Sequence, residues 1–476
     1  MHSMRRIAAV GLTLGLLLLL PLPALAAGGP PAGWPTWHLQ AAFLGLLAPL
    51  ALILVAVGAT PPDEASETVA TALAALVVGV VAYAACGFAL QFGGLALRVA
   101  WPGLAGLTAE WSPLDPTLGL GWGAVGLRGF FLMEEAATPD AYALAAVQLP
   151  VVAVAVLIPT LALARRVARG VLLGMAIVMG GALHPLVGNW VWGGGWLALL
   201  GANAQLGHGF VDLGGSATLH LLGASAALAG ILIFGRRQRV PAREAAAELP
   251  PVHFPMFLLM GALFAPLGWL GLVLANPLVT PDLAPGLLAL NIVLAGLGGA
   301  APALFYSWLA TGRLDALLAA RGLIAGLVAG SASCGFVPPW AALLAGVVVG
   351  AILPLLLYAV EHVAHWHDPN GILATHGLPG LIGALWLALF ADGRWGVGWN
   401  GVQASIPPTQ QGVAGLWVAP GNASDIPGQL YAQLAGAGSV IVLAFVIPAL
   451  IFGLARGAQA LAAWLGRLRA SKPQAA

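Results

Sequence analysis

Gly214-Gly215-Ser216-Ala217-Thr218-Leu219-His220-Leu221-Leu222-Gly223-Ala224-Ser225-Ala226-Ala227-Leu228-Ala229-Gly230-Ile231-Leu232-Ile233-Phe234 is an uncharged run with a single titratable group, His220. A helix needs about 20 such residues to cross the hydrocarbon of a bilayer, and this stretch has that length. It is bracketed by charge, with Asp212 before it and Arg236-Arg237 after it. Its reading as a membrane-spanning helix decides the fold, because the rest of the chain repeats the pattern.

Sixty per cent of the 476 residues are apolar and 7% are Asp, Glu, Lys or Arg. An ordinary soluble domain carries about 25% charge, so this chain cannot coat several water-facing surfaces. Further uncharged runs lie near Leu39–Ala59, Val69–Phe92, Ala141–Ala164, Gly170–Trp192, Phe254–Leu274 and Leu283–Leu309. Four more lie near Gly322–Val337, Pro338–Val360, Gly371–Phe390 and Leu430–Leu454, which makes eleven with Gly214–Phe234. Gly is abundant inside the runs (65 residues in all), and small residues let helices in lipid approach closely. The fold class expected is all-α: a polytopic membrane protein of eleven transmembrane helices.

At the start, Arg5-Arg6, the apolar stretch Ile7–Leu20 and Ala24-Leu25-Ala26 have the three-part pattern of a cleavable signal peptide, residues 1–26. The membrane domain is then residues 27–456, with a short tail at 457–476. Starting outside, the expected cytoplasmic segments hold thirteen Lys or Arg and the outer ones only Arg98, Arg128 and Arg394. Basic residues gather on the cytoplasmic side, so the N-terminus is expected outside and the C-terminus in the cytoplasm of an inner (plasma) membrane protein. The segments Pro61–Thr68 and Glu361–Asn370 lack any base although they fall on the cytoplasmic side. The long outer segments Arg98–Asp140 and Ala391–Gln429 are expected to wall a vestibule.

Ionisable groups at membrane depth are expensive and mark function. Two histidines stand there, His220 and His376, each in the fifth run of its half if the eleven runs are two halves of five plus one. Inverted halves of that kind bring corresponding helices together near the midplane, where one neutral imidazole can donate to the other. Asp212 opens its run either as a helix cap or as the support for an arriving cation. His184 precedes Pro185, and His208 is expected to face water. His362, His365 and His367 beside Glu361 and Asp368 have a spacing that could hold a metal, though a solvated loop is the simpler account; no metal site or cofactor is expected. Cys86 and Cys334 lie in apolar runs as small buried hydrophobes. No nucleophile–base arrangement sits at membrane depth, which argues against an enzyme, and near-neutral charge (+1) argues against a nucleic-acid partner.

The stretches Trp190-Val191-Trp192-Gly193-Gly194-Gly195-Trp196-Leu197 and Asp212 to His220, then Gly235-Arg236-Arg237, resemble the signature of the ammonium transporter (Amt/Mep/Rh) family. So do Ser333-Cys334-Gly335-Phe336-Val337 with Pro338 to Leu343, His376-Gly377-Leu378-Pro379-Gly380-Leu381-Ile382-Gly383, and Gly126 to Leu132. The likeness runs from about Val69 to Phe390 with the motifs in order. It implies two inverted five-helix repeats plus one helix, a homotrimer, and a narrow hydrophobic pore in each protomer for ammonium/ammonia. His220 and His376 would be paired pore histidines. Asp212 and Trp192 would recruit the cation, with Asn276 where a serine often completes the cage. Aligned through Gln148 and Trp269, the stacked phenylalanines of the family's outer gate fall on Val151 and Leu272, so both gate positions are aliphatic. The tail lacks the family's acidic Gly-Leu-Asp pattern, and regulation by PII-type proteins is not carried over. The aliphatic gate also motivates an alternative, a non-transporting member acting as an ammonium sensor or as a structural subunit of a membrane complex.

Overall fold

Five spans open on proline (Pro62, Pro139, Pro255, Pro285 and Pro339). Proline suits a first turn, whose N–H has no intrahelical acceptor in any case. In the computed structural model, residues 36–118, 121–235, 252–279, 283–366, 368–402 and 411–470 are described. They form eleven apolar helices: α1 (Trp37–Ala59), α2 (Pro62–Leu97), α3 (Pro139–Leu163), α4 (Arg169–Val191), α5 (Ser216–Phe234), α6 (Pro255–Leu274), α7 (Pro285–Thr311), α8 (Ala316–Ser331), α9 (Pro339–Val363), α10 (Leu373–Phe390) and α11 (Gly428–Arg467). The expected signal peptide lies outside the described residues.

Close backbone contacts show two halves of matching design. In the first, α2 and α4 run parallel, with Gly79 against Ala176 and Gly87 against Gly180; in the second, α7 and α9 run parallel, with Ala295 against Gly346 and Gly299 against Gly350. The leading helices of the two halves, α1 and α6, are antiparallel, Gly45 meeting Gly271 and Gly58 meeting Leu258. This is the inverted repeat expected from the sequence. Helix α11 belongs to neither half and packs on α5, with the Phe234 and Phe452 rings 5.8 Å apart.

One span is displaced from its expected bounds. The eighth is expected at Gly322–Val337, but α8 is Ala316–Ser331. Its start is set by Asp315, whose carboxylate accepts the Leu318 N–H at 2.7 Å. Its last residue is Ser331, after which Ala332 to Val337 turn away. The freed carbonyls of Cys334 and Val337 both accept from Asn291 Nδ2 at 2.8 Å, which satisfies backbone that lipid could not. Arg321, expected in a cytoplasmic loop, is therefore buried inside α8. At the other end of the chain, the tail expected from Gly457 begins as a continuation of α11, which stays helical to Ala470.

The two long connections lie on the same face as Asp212. The α2–α3 segment carries a short antiparallel ladder, Glu110 to Gly126 and Trp111 to Val125. Trp190 Nε1 donates to the Ala124 carbonyl there, and Arg98 pairs with Glu110 at 2.5 Å. His208 does not face water: it is buried, with Nδ1 3.4 Å from an Asp425 carboxylate oxygen. Asn400 from the α10–α11 segment donates to the His208 carbonyl, tying both connections together.

Candidate functional site

Helices α5 and α10 cross antiparallel at the centre of the bundle, with Ser216 against Gly383, Leu221 against Gly380 and Ala224 against Gly377. Gly380 permits this approach, since a β-carbon there would stand 2.5 Å from the Ser216 carbonyl oxygen, and one on Gly383 would stand 2.7 Å from Ser216 Oγ and 2.5 Å from the Ala329 carbonyl oxygen of α8. Each helix has a widened π-type turn at the crossing, Ser216–Leu221 and Leu373–Gly377, and each turn contains the histidine singled out by sequence. His220 and His376 are both buried, with ring centroids 5.2 Å apart and planes inclined at 62°.

The expected hydrogen bond between the two rings is absent. Both nitrogens of His220 lack a hydrogen-bond partner, and so does His376 Nε2. His376 Nδ1 instead lies 2.7 Å from Thr375 Oγ1. The Thr375 hydroxyl has one hydrogen and donates it to the Gly371 carbonyl at 2.7 Å, so His376 Nδ1 must be the protonated nitrogen that donates to it. That fixes a tautomer with the Nε2 lone pair free. Trp269 of α6 stacks on His220 with centroids 5.4 Å apart and planes 8° from parallel.

Asp212, Trp192 and Asn276 converge on the turn before α5. Asp212 Oδ2 accepts the N–H groups of Ala217 (3.0 Å) and Thr218 (2.7 Å) and the Thr218 hydroxyl (2.7 Å). Its Oδ1 is buried without a hydrogen-bond partner. Burial raises the Asp212 carboxyl from the ordinary range, and those donors oppose the rise. Trp192 Nε1 donates to the Asp212 carbonyl at 2.9 Å, and Asn276 Nδ2 donates to the Leu213 carbonyl at 2.7 Å. The turn is pinned to α8 by Gly214 N–H on the Ser331 carbonyl and by Ser216 Oγ on the Val328 carbonyl. Trp192 and Asp212 are only 3% and 1% exposed, so these groups sit beneath the surface of the mouth. Val151 and Leu272 are likewise buried in α3 and α6. Leu272 lies one helical turn beyond Trp269, and Gln148, one turn before Val151, accepts from Gln91 at 3.2 Å.

Three neighbours carry no site motif in the sequence. His184 is fully buried, with Nδ1 3.4 Å from the Thr218 carbonyl and its ring 6.1 Å edge-on from Trp192. Asp368, read as part of a solvated loop with Glu361 and the nearby histidines, is buried and caps α10, accepting from Ile372 (2.9 Å) and Leu373 (2.7 Å). Arg321 donates to the Pro369 carbonyl at 2.5 Å. The available signal was a repeat: Asp212 and Asp368 each precede, by eight residues, a pore histidine, and each is followed three residues on by a glycine at positive φ, Gly215 (+84°) and Gly371 (+67°). A side chain in that left-handed conformation would be strained, so both turns need glycine. No metal-holding group of His, Cys, Asp and Glu occurs among the described residues, and His367 lies outside them.

The model of the Ammonium Transporter Family matches residues 36–461. The chain belongs to this family. Its curated relatives include the ammonium transporter Amt2 of Archaeoglobus fulgidus, 28% identical over 80% of this chain and 79% of that protein. An ammonium transporter of Bacillus subtilis is 27% identical over 60% of this chain and 63% of its own length. Among solved structures, a sensor Amt protein superposes with a TM-score of 0.69 at 22% identity, covering 88% of this chain and 91% of that one. Mep2 of Saccharomyces cerevisiae does so with a TM-score of 0.67 at 20% identity, covering 87% and 86%. As a member of the ammonium transporter family, the chain is a multi-pass membrane protein whose helices have the Amt/Mep fold.

Proposed function

We propose that the protein transports ammonium/ammonia through a pore between the Asp212 mouth and the Asp368 mouth, with His220 and His376 handling the substrate at mid-depth. The observation that carries this is the meeting of two buried imidazoles at the α5–α10 crossing, each with a nitrogen that lacks a protein partner. An ammonium ion entering a dry apolar pore would forfeit on the order of tens of kcal/mol of solvation, and neutral ammonia far less. Deprotonation at the Asp212 mouth therefore precedes passage, and potassium, which has no proton to shed, is rejected. The free lone pair on His376 Nε2 can accept a hydrogen from ammonia or from His220, so the pair can pass a proton while ammonia moves alongside it. Trp192 would attract the cation through its ring by on the order of 1 kcal/mol, and Asp212 Oδ1 would supply the counter-charge.

The finer reading follows the family: Asp212 faces outward, the C-terminus is cytoplasmic, a signal peptide precedes the domain, and protomers assemble as homotrimers in the plasma membrane for nitrogen uptake. The non-transporting alternative has only the aliphatic gate in its favour, and the sensor protein is matched at an identity that carries the fold and no activity. In proteoliposomes, ammonium should evoke a current that potassium does not, and His220→Ala with His376→Ala should abolish or reshape it. Wild-type protein that moves neither ammonium nor ammonia would overturn the proposal.

A further inference from the structure

A buried polar atom without a hydrogen-bond partner is destabilising, and several such atoms belong to one stretch, the turn Asp212–His220 and what packs on it. They are Asp212 Oδ1, both nitrogens of His220, His376 Nε2 and His184 Nε2. All but the last belong to groups already placed at the mouth or at mid-depth. His184 reaches the same turn from α4 and is fully buried. Its Nδ1 lies 3.4 Å from the Thr218 carbonyl, a long hydrogen bond, and a carbonyl only accepts. Nδ1 therefore carries the ring hydrogen and Nε2 the lone pair. Thr218 is the residue whose N–H and hydroxyl both donate to Asp212, and His220 follows it by two positions. The His184 ring also stands 6.1 Å, edge-on, from Trp192, whose Nε1 donates to the Asp212 carbonyl. One imidazole thus borders the carboxylate-capped turn and the recruiting aromatic together. A side chain that only filled this space would pack as well without a nitrogen, and would leave no acceptor orphaned.

Resting on the transport reading above, we propose that His184 is the base that takes the proton from ammonium at the Asp212 mouth and hands it to His220. One N–H bond of ammonium breaks, its electron pair stays on the ammonia nitrogen, and the proton binds the lone pair of His184 Nε2. The products are neutral ammonia, which enters the pore, and an imidazolium. That imidazolium keeps its Nδ1–H on the Thr218 carbonyl, now as a charge-assisted bond, which is the stronger kind. The Asp212 carboxylate, held by the same Thr218, supplies the opposite charge. Asp212 is the poorer acceptor, because a protonated carboxyl would neither hold the next cation nor balance one. The His184 ring resets when Nε2 gives its proton to the His220 nitrogen that carries a lone pair, and a neutral imidazole always has one. His376 Nε2 is the next acceptor, its ring centroid 5.2 Å from that of His220. Proton and ammonia then leave together as one ammonium, and potassium, which brings no proton, leaves the relay idle.

The test uses the purified full chain in proteoliposomes given ammonium steps, with current recorded on a solid-supported membrane and flux followed by a lumenal pH dye. His184→Gln offers the Thr218 carbonyl an amide N–H but has no base. Its maximal current should fall at least about tenfold, equivalent to about 1.4 kcal/mol in the barrier, with half-saturating ammonium within about twofold of wild type because Asp212 and Trp192 still recruit. The ratio of currents in light and heavy water should rise above that of wild type, since loss of a proton from ammonium to a poorer acceptor then limits the rate. His184→Asn, with the same two functional groups on a shorter stem, serves where His184→Gln does not reach the liposomes. Undiminished maximal current in these variants would overturn the proposal. So would a fall that comes with weaker half-saturation and an unchanged isotope ratio, which is the mark of a mouth merely deformed. Wild-type flux seen by the dye without current would also overturn it, because the proton would not then pass to His220. No wild-type flux by either readout would instead overturn the transport reading.

Discussion

At the scale of single residues, the division of work within each carboxylate and imidazole is set by which atoms the fold has already engaged. Asp212 spends Oδ2 on three donors and keeps Oδ1, so one residue both caps α5 and offers a charge. Asp212→Ala should lower thermal stability in detergent by on the order of 2 kcal/mol, from the lost cap and charge-assisted bonds, and should remove flux. Asp212→Asn retains an acceptor and should recover much of the stability without the flux. A pair of variants that lose stability and flux in proportion would show a role in folding alone. Thr375 has a subtler part. Thr375→Val removes the acceptor that holds His376 Nδ1–H and leaves a buried donor unpaired, at a cost of about 1–3 kcal/mol, and frees the ring to take either tautomer. Ammonium flux should fall, and Thr375→Ser should restore it; equal flux in Thr375→Val and wild type would show that the tautomer does not matter. His220 and His376 were legible in the sequence because a titratable group in an uncharged run is conspicuous. Asp368 and Arg321 were not, because a charge near the end of a run reads as loop, and only the packing of α8 against Gly371 shows both side chains turned inward.

At the scale of elements, helix approach in lipid has no hydrophobic drive between apolar faces and relies on close packing of small residues. Helix α7 is flanked on two sides by backbone at contact distance. A β-carbon on Gly299 would stand 2.1 Å from the Gly322 carbonyl oxygen of α8, and one on Gly350 would stand 2.2 Å from the Gly299 oxygen. Gly299→Ala must therefore part α7 from α8, and overpacking of this kind costs about 1–3 kcal/mol or more. Gly174 in α4 has open space at the same position, so Gly174→Ala should be neutral or stabilising by up to about 1 kcal/mol through helix propensity. Thermal denaturation of the two purified variants beside wild type checks the contrast, and similar midpoints for both would contradict the packing account. The hydropathy pattern placed ten of the eleven helices within a few residues, apart from the longer ends of α2 and α11, because length and apolar content are what a bilayer requires. It misplaced α8 because that helix is short and enclosed by protein, so its bounds are set by the Asp315 cap and by Asn291, neither of which leaves a trace in hydropathy.

At the scale of the whole molecule, the antiparallel crossing of α5 and α10 puts Asp212 and Asp368 at opposite faces, and the distribution of base predicts which faces out. Two connections on the Asp368 face lacked any Lys or Arg in the sequence, which weakened the count. Packing supplies what they lack: Glu64 pairs with Arg165, Glu67 pairs with Arg169, and Asp368 and Glu361 are acted on by Arg166 and Arg321. The Glu64 and Glu67 carboxylates are compensated by these pairs, and it is Lys and Arg, not net charge, that orient a membrane protein. The Asp212 face carries Arg98, Arg128 and Arg394, each paired with a local acid, Glu110, Glu135 and Asp392. The Asp368 face should therefore lie in the cytoplasm. Phe131→Cys, exposed in the α2–α3 segment, and Arg313→Cys, exposed between α7 and α8, place one thiol on each face. The native Cys334 is buried, and Cys86, expected to be buried, is only half-buried but lies at membrane depth within α2, away from a charged reagent. In intact cells a membrane-impermeant thiol reagent should modify Phe131→Cys, and should reach Arg313→Cys only after permeabilisation. The reverse pattern would invert the molecule.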